Sequence, residues 1–126
     1  SKQSVSFMTM VHSIHRGSAL ANGYALGTTS FADVGYPGDL RDCLQCHATD
    51  TYQVDNVGAV EPVAATGGVM GGPALPITAA CMGCHDTKAT AGHATINTDP
   101  KFGESCAVCH GKNAQFSVDR VHSRTQ

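Results

Sequence analysis

Three five-residue units constrain this chain more than anything else in it: Cys43-Leu44-Gln45-Cys46-His47, Cys81-Met82-Gly83-Cys84-His85 and Cys106-Ala107-Val108-Cys109-His110. They use all 6 cysteines, so none remains for a structural disulfide or a free nucleophile. C-x-x-C-H is the attachment pattern of c-type haem. Two thiols three positions apart lie on one turn of chain and can form thioethers to both vinyl groups of a porphyrin edge. The next residue then brings an imidazole under the ring to the iron. Zinc is the competing chemistry, because two C-x-x-C pairs can build a four-thiolate site. Zinc ribbons do not require a histidine directly after the second cysteine, and here it follows every pair. Disulfides rank third, since a bridge inside C-x-x-C is a redox motif rather than a staple. The chain therefore reads as a trihaem cytochrome with three covalently bound haem c groups. Cys43, Cys46, Cys81, Cys84, Cys106 and Cys109 are the thioether residues, and His47, His85 and His110 the proximal iron ligands.

The remaining histidines supply the other side of each iron. Of the 7 in the chain, four lie outside the motifs: His12, His15, His93 and His122. Three haems take at most three distal ligands, so every iron can be bis-histidine with one imidazole over. Methionine would compete and raise the potential. Met8, Met10, Met70 and Met82 are instead read as apolar filling against porphyrin faces. The surplus has two explanations. Either one of the four is not a ligand, or the chain lies beside a haem that belongs to another protein or domain. His12 and His15 are three apart and share a helix face if that segment is helical. The sequence leaves open which of the two binds.

Composition fits haems in place of a core. The 126 residues include 14 Gly and no Trp, with 6% aromatic side chains. A formal charge of −2 excludes a polycationic nucleic-acid binder. No run approaches the roughly 18 apolar residues of a membrane helix. The expected fold is mostly irregular with a few short α-helices and little or no sheet, residues 1–126 forming a single domain. Apolar positions 5, 7, 8, 11 and 14 predict a helix over 4–16, with Ser4 as N-cap and Gly17 as its stop. Residues 18–38 read as loop, and Asp39 as the cap of a short helix leading into the first motif. A helix is expected from Ile77 to Ala94, carrying the second motif and placing His93 on its last turn. A final helical turn at 117–123 would bear His122. Residues 51–76, with Gly-Gly-Val-Met-Gly-Gly at 67–72, read as irregular. The unequal motif spacing rules out a tandem repeat.

The segments Met10-Val11-His12-Ser13-Ile14-His15-Arg16-Gly17, Tyr36-Pro37-Gly38-Asp39-Leu40-Arg41-Asp42-Cys43, Glu104-Ser105-Cys106-Ala107-Val108-Cys109-His110-Gly111 and Val118-Asp119-Arg120-Val121-His122 resemble the outer-surface decahaem cytochromes of metal-reducing bacteria, the OmcA/MtrC group. The resemblance implies bis-histidine haems, with His12 and/or His15, His93 and His122 as distal ligands. It implies electron passage along a haem chain to minerals, electrodes or soluble shuttles outside the cell. The chain departs from the group in carrying three haems rather than modules of five, and no strand-rich region. Its first residue, Ser1, is not a lipidated cysteine.

An iron held by two protein imidazoles has no open position, so it exchanges electrons and binds no substrate. The expected function is a short electron wire of low potential, extracellular rather than enzymatic. The alternative is a haem enzyme with one open iron reducing a small molecule. The ligand surplus argues against it, and Asp33, Asp39, Asp42 and Asp50 around the first motif read as surface acids. Expected partners are other multihaem cytochromes or extracellular acceptors. Low charge also allows a homopolymer through haem-to-haem contacts. Attachment of haem to C-x-x-C-H takes place outside the cytoplasm, so the chain is exported. The cell surface is favoured by the resemblance, and the periplasm is compatible with the motifs.

Overall fold

The computed structural model describes residues 6–56 and 75–123. Helix α1 spans Phe7–Arg16, with Ser6 as N-cap. The predicted cap Ser4 lies outside the described residues, and the helix opens one turn later than its apolar pattern suggested. Gly17 ends it as expected, at φ 44°, with its N–H on the Ser13 carbonyl. That backbone conformation suits a residue without Cβ. A Cβ there would also collide with the Val34 carbonyl.

The stretch expected to be loop contains one tight hairpin, β1 (Ala25–Leu26) against β2 (Thr29–Ser30), turning through Gly27 at φ 59°. Asp39 does not cap a helix. Its carboxylate accepts the Arg41 backbone N–H at 2.9 Å and pairs with the Arg41 guanidinium at 2.7 Å, making a local turn. The first motif follows as a 3-10 turn over Cys43–Gln45, and a second such turn spans Val54–Asn56. The glycine run at 67–72 lies outside the described residues.

The single helix expected from Ile77 to Ala94 is two helices, α2 (Pro76–Met82) and α3 (Lys88–Ile96). Pro76 in the first turn of α2 loses no hydrogen bond there. The break falls at the second motif itself. Gly83 lies against α1, where a Cβ would stand 3.0 Å from the His12 Cβ. Thr87 then caps α3, its hydroxyl accepting the Thr90 N–H. Strands β3 (Thr98–Asp99) and β4 (Gly103–Glu104) form a second hairpin leading into the third motif, which lies on α4 (Ala107–His110). Helix α5 (Val118–Val121) is the predicted last turn, capped by Ser117, with His122 as its C-cap.

The fold is thus mostly irregular, with short helices and two minimal hairpins. Among the described residues Tyr24, Val54, Ile77 and Ala79 are the buried apolar side chains, while eight large apolar ones are exposed. A chain with this balance cannot stabilise itself by side-chain burial alone.

Candidate haem sites

Six of the seven histidines meet in pairs. His12 and His47 have ring centroids 6.2 Å apart, His85 and His122 6.0 Å, and His93 and His110 6.1 Å. Every pair joins one motif histidine to one histidine from elsewhere. Two metal–imidazole bonds of about 2 Å, plus roughly 1 Å from each ring centre to its nitrogen, give about 6 Å across a shared metal. The pairs therefore have the spacing of two axial ligands on one iron. His12 and His47 are nearly parallel at 10°, His85 and His122 cross at 43°, and His93 and His110 at 81°. His15 joins none of them. It is exposed, with its ring 6.0 Å from that of Tyr36.

Backbone carbonyls fix one tautomer at three of these rings. Nδ1 of His12 lies 2.6 Å from the Met8 carbonyl, that of His122 2.9 Å from Val118, and that of His110 2.7 Å from Phe116. A carbonyl can only accept, so each Nδ1 carries the proton and Nε2 keeps its lone pair for a metal. His85 is held below the ordinary imidazole range by burial, with the His122 ring and the Arg16 guanidinium adding to the effect. A neutral imidazole is the ligating form.

Burial outweighs nearby charge at four of the six thiols. Burial pushes Cys81 up to about 11, with Cys106 and Glu104 contributing, and it raises Cys43, Cys84 and Cys106 as well. Metal thiolates require the opposite environment. Among the described residues no three His, Cys, Asp or Glu converge on a metal position, so the zinc alternative gains no support. Uncharged thiols at Cys43, Cys81, Cys84 and Cys106, near the paired imidazoles, suit covalent attachment to an apolar macrocycle.

Several exposed apolar side chains flank these pairs: Leu44 and Val108 within motifs, Ile96 one turn beyond His93, and Val121 beside His122. Phe116, also exposed, provides the carbonyl that orients His110. Arg16 supplies a polar counterpart. Its Nε is buried with no hydrogen-bond partner, and its charge acts on both Cys84 and His85. A buried donor without an acceptor is costly, and a porphyrin propionate would satisfy it. The residues present therefore fit haem.

What sequence reasoning missed is the set of acids that ties one motif to another. Glu104, just before the third motif, accepts the Ile77 N–H at 3.0 Å, the Thr78 N–H at 2.6 Å and the Thr78 hydroxyl at 2.6 Å. It thereby clamps the helix that carries Cys81. Asp119 accepts the Tyr52 hydroxyl at 2.7 Å and the Gln53 amide at 2.9 Å, fixing α5 to the segment after the first motif. Asp86, directly after the second motif, accepts the Ala21 and Asn22 N–H groups at 2.7 Å each. Ser13 on α1 donates to the Gly83 carbonyl at 2.8 Å. Asp50, read from sequence as a surface acid, pairs with Lys112 at 2.8 Å beyond the third motif. None of these acids belongs to a recognisable spacing.

A family model described as the outer membrane cytochrome MtrC/MtrF-like domains II/IV matches residues 1–123. A search of curated proteins found no match. The chain belongs to the MtrC/MtrF-like outer membrane cytochrome domain family. It is accordingly a c-type haem-binding electron-transfer domain of an exported, cell-surface kind rather than an enzyme. Among the described residues no helix is long and apolar enough to cross a membrane.

Proposed function

We propose that this MtrC/MtrF-like domain is a three-haem segment of an extracellular electron wire with every iron closed by two imidazoles. Cys43 and Cys46 would attach the haem held by His47 and His12. Cys81 and Cys84 would attach the one held by His85 and His122, and Cys106 and Cys109 the one held by His110 and His93. The common spacing of the three histidine pairs, 6.0 to 6.2 Å, carries this assignment. When bound, each haem supplies a one-electron iron couple.

The protein's part is to fix the ligands and exclude others. Carbonyl bonds at His12, His110 and His122 hold their rings in one orientation, so a change of charge at the metal needs little rearrangement. Two neutral imidazoles leave no position for substrate or oxygen, and they favour a lower potential than histidine with methionine. The motifs are packed into one another through Ser13, Glu104 and Asp119, which suits passage of electrons among them. Donors and acceptors would be other multihaem cytochromes or extracellular oxidants.

The test is a visible spectrum of the oxidised and dithionite-reduced protein, with and without carbon monoxide, and haem quantified per chain. Three haems, low-spin bands and no response to carbon monoxide are expected. A high-spin band or a carbon monoxide shift would overturn the assignment and favour an open-iron enzyme.

A further inference from the structure

In each histidine pair one ring is held by a backbone carbonyl and the other is not. His12, His122 and His110 each have Nδ1 on a carbonyl, at 2.6, 2.9 and 2.7 Å. Among the described residues no hydrogen bond holds the ring of His47, His85 or His93. An imidazole bound to a metal through one nitrogen can still turn about that bond, so its plane is set by what its other atoms touch. The planes come within 10° only at the pair of His12 and His47, against 43° and 81° at the other two. Something besides a carbonyl therefore fixes His47.

Tyr52 is placed to do so. Its ring centroid is 6.2 Å from that of His47 and the planes cross at 71°, so the two rings meet edge to face, an arrangement aromatic pairs favour. Among the described residues the only ring against His85 is His122, and the only one against His93 is His110. Tyr52 is itself held. Its hydroxyl donates to Asp119 Oδ1 at 2.7 Å, and the Gln53 amide donates to the other oxygen of that carboxylate at 2.9 Å. Gln53 is 1% exposed, so the acid cannot swing away without disturbing a buried side chain. Asp119 lies on α5, the element whose C-cap is His122.

We infer that Tyr52 is a positioning residue for electron transfer at the first site: its ring sets the plane of His47, and its bond to Asp119 ties that plane to the seating of α5. The near-parallel alignment of His12 and His47 is then the joint product of the Met8 carbonyl on one side and the Tyr52 ring on the other. Groups that orient a metal's ligands tune the metal. The electronic state of the first iron accordingly depends on the element that carries the distal histidine of the second. The inference rests on the proposed sharing of one iron by His12 and His47.

The experiment records the paramagnetic resonance spectrum of the ferric holoprotein, in which the rhombic low-spin signal is assigned to the first iron by its loss in His12→Ala. Tyr52→Leu removes the ring, and the signal should move towards the more anisotropic kind given by crossed planes. Tyr52→Phe and Asp119→Asn keep a ring beside His47 but free it from its anchor, and should broaden the signal about its original position. Lys112→Met breaks the ion pair that Asp50 makes in the same segment and should leave the signal unchanged. A signal that stays in place in Tyr52→Leu, or that Lys112→Met moves equally, would overturn the inference while leaving the pairing intact. If Tyr52→Leu fails to load haem, unchanged linewidths in both Tyr52→Phe and Asp119→Asn would overturn it instead. Absence of any rhombic signal from the unaltered protein would remove the pairing and the inference with it.

Discussion

Replacing Glu104 by alanine should destabilise the holoprotein far more than an exposed acid normally does. Its carboxylate receives three hydrogen bonds, from the Ile77 N–H, the Thr78 N–H and the Thr78 hydroxyl. The two amides are free N–H groups at the start of α2, and both residues are buried, Ile77 7% and Thr78 3% exposed. Leaving a buried donor unpaired costs about 1–3 kcal/mol. Loss of a carboxylate at a helix N-terminus adds about 0.3–1 kcal/mol. Water reaching part of the space relieves some of this, so Glu104→Ala should cost about 3–5 kcal/mol. Glu104→Gln keeps one acceptor oxygen and the shape, and should cost about 1–2 kcal/mol. Guanidinium unfolding of the haem-loaded protein, followed by circular dichroism in the Soret region, measures both. A loss below about 1 kcal/mol for alanine, at unchanged denaturant slope, would refute the clamp. So would glutamine proving as damaging as alanine.

Four further outcomes test the sites. His12→Ala, His93→Ala and His122→Ala should each open one haem to carbon monoxide, and His15→Ala none; an internal iron opened by His15→Ala would reassign the pairs. In the ferric protein the nearly parallel planes of His12 and His47, at 10°, should give a rhombic low-spin paramagnetic signal. The 81° crossing of His93 and His110 should give a more anisotropic one. Tyr52, whose phenol is held by Asp119, should ionise only at about 12 instead of 10.0. Because the folded value is the higher one, the contribution of this bond to stability is whole below pH 10.0 and lost as pH rises towards about 12. Asp119→Asn should lower that titration, read by near-ultraviolet difference absorbance. Arg16→Gln should make the potential of the haem between His85 and His122 more negative, as seen in a spectroelectrochemical titration, and Arg16→Lys should change it less.

The attachment chemistry was legible because it is local. Two thiols and an imidazole in five consecutive residues need no tertiary information, helix α1 followed from its apolar spacing and its Gly17 stop, and a final helical turn bearing His122 was expected where α5 lies. Pairing is different. His12 meets His47 rather than His85, and His122 meets His85 rather than the nearby His110, because of how the elements fold back. No spacing encodes that. Choosing between His12 and His15 was equally out of reach, since both are primed by the same carbonyl bond and differ only in which side of α1 the protein covers. The helix expected over 77–94 failed for a related reason. The apolar pattern runs through Gly83, but glycine is a poor helix former, α2 ends there, and α3 starts anew from its own cap, Thr87. Glu104 and Asp119 were invisible as single acids, and their role appears only once their partners arrive.

These connections form a closed loop, which bears on how the domain loads and conducts. His12, paired with His47 of the first motif, lies on a helix packed on the second motif through Ser13 and Gly83, and the His12 carbonyl lies 3.8 Å from the Cys84 sulfur. His122, paired with His85 of the second motif, lies on a turn that follows the third motif and is anchored behind the first by Asp119 on Tyr52 and Gln53. His93, paired with His110 of the third motif, lies on the helix leaving the second motif, and Glu104 at the end of the next hairpin grips the helix entering it. Each site is therefore completed by an element that another site positions. A domain with four buried apolar side chains among its described residues has little else to hold these elements together. On the proposed assignment, ligation of one iron would favour ligation of the next, and loss of one ligand should loosen a neighbouring site before its own motif unravels. The same interdependence keeps the three motifs packed together without a polypeptide wire between them, so the device that folds the domain is also the one that lets it pass electrons.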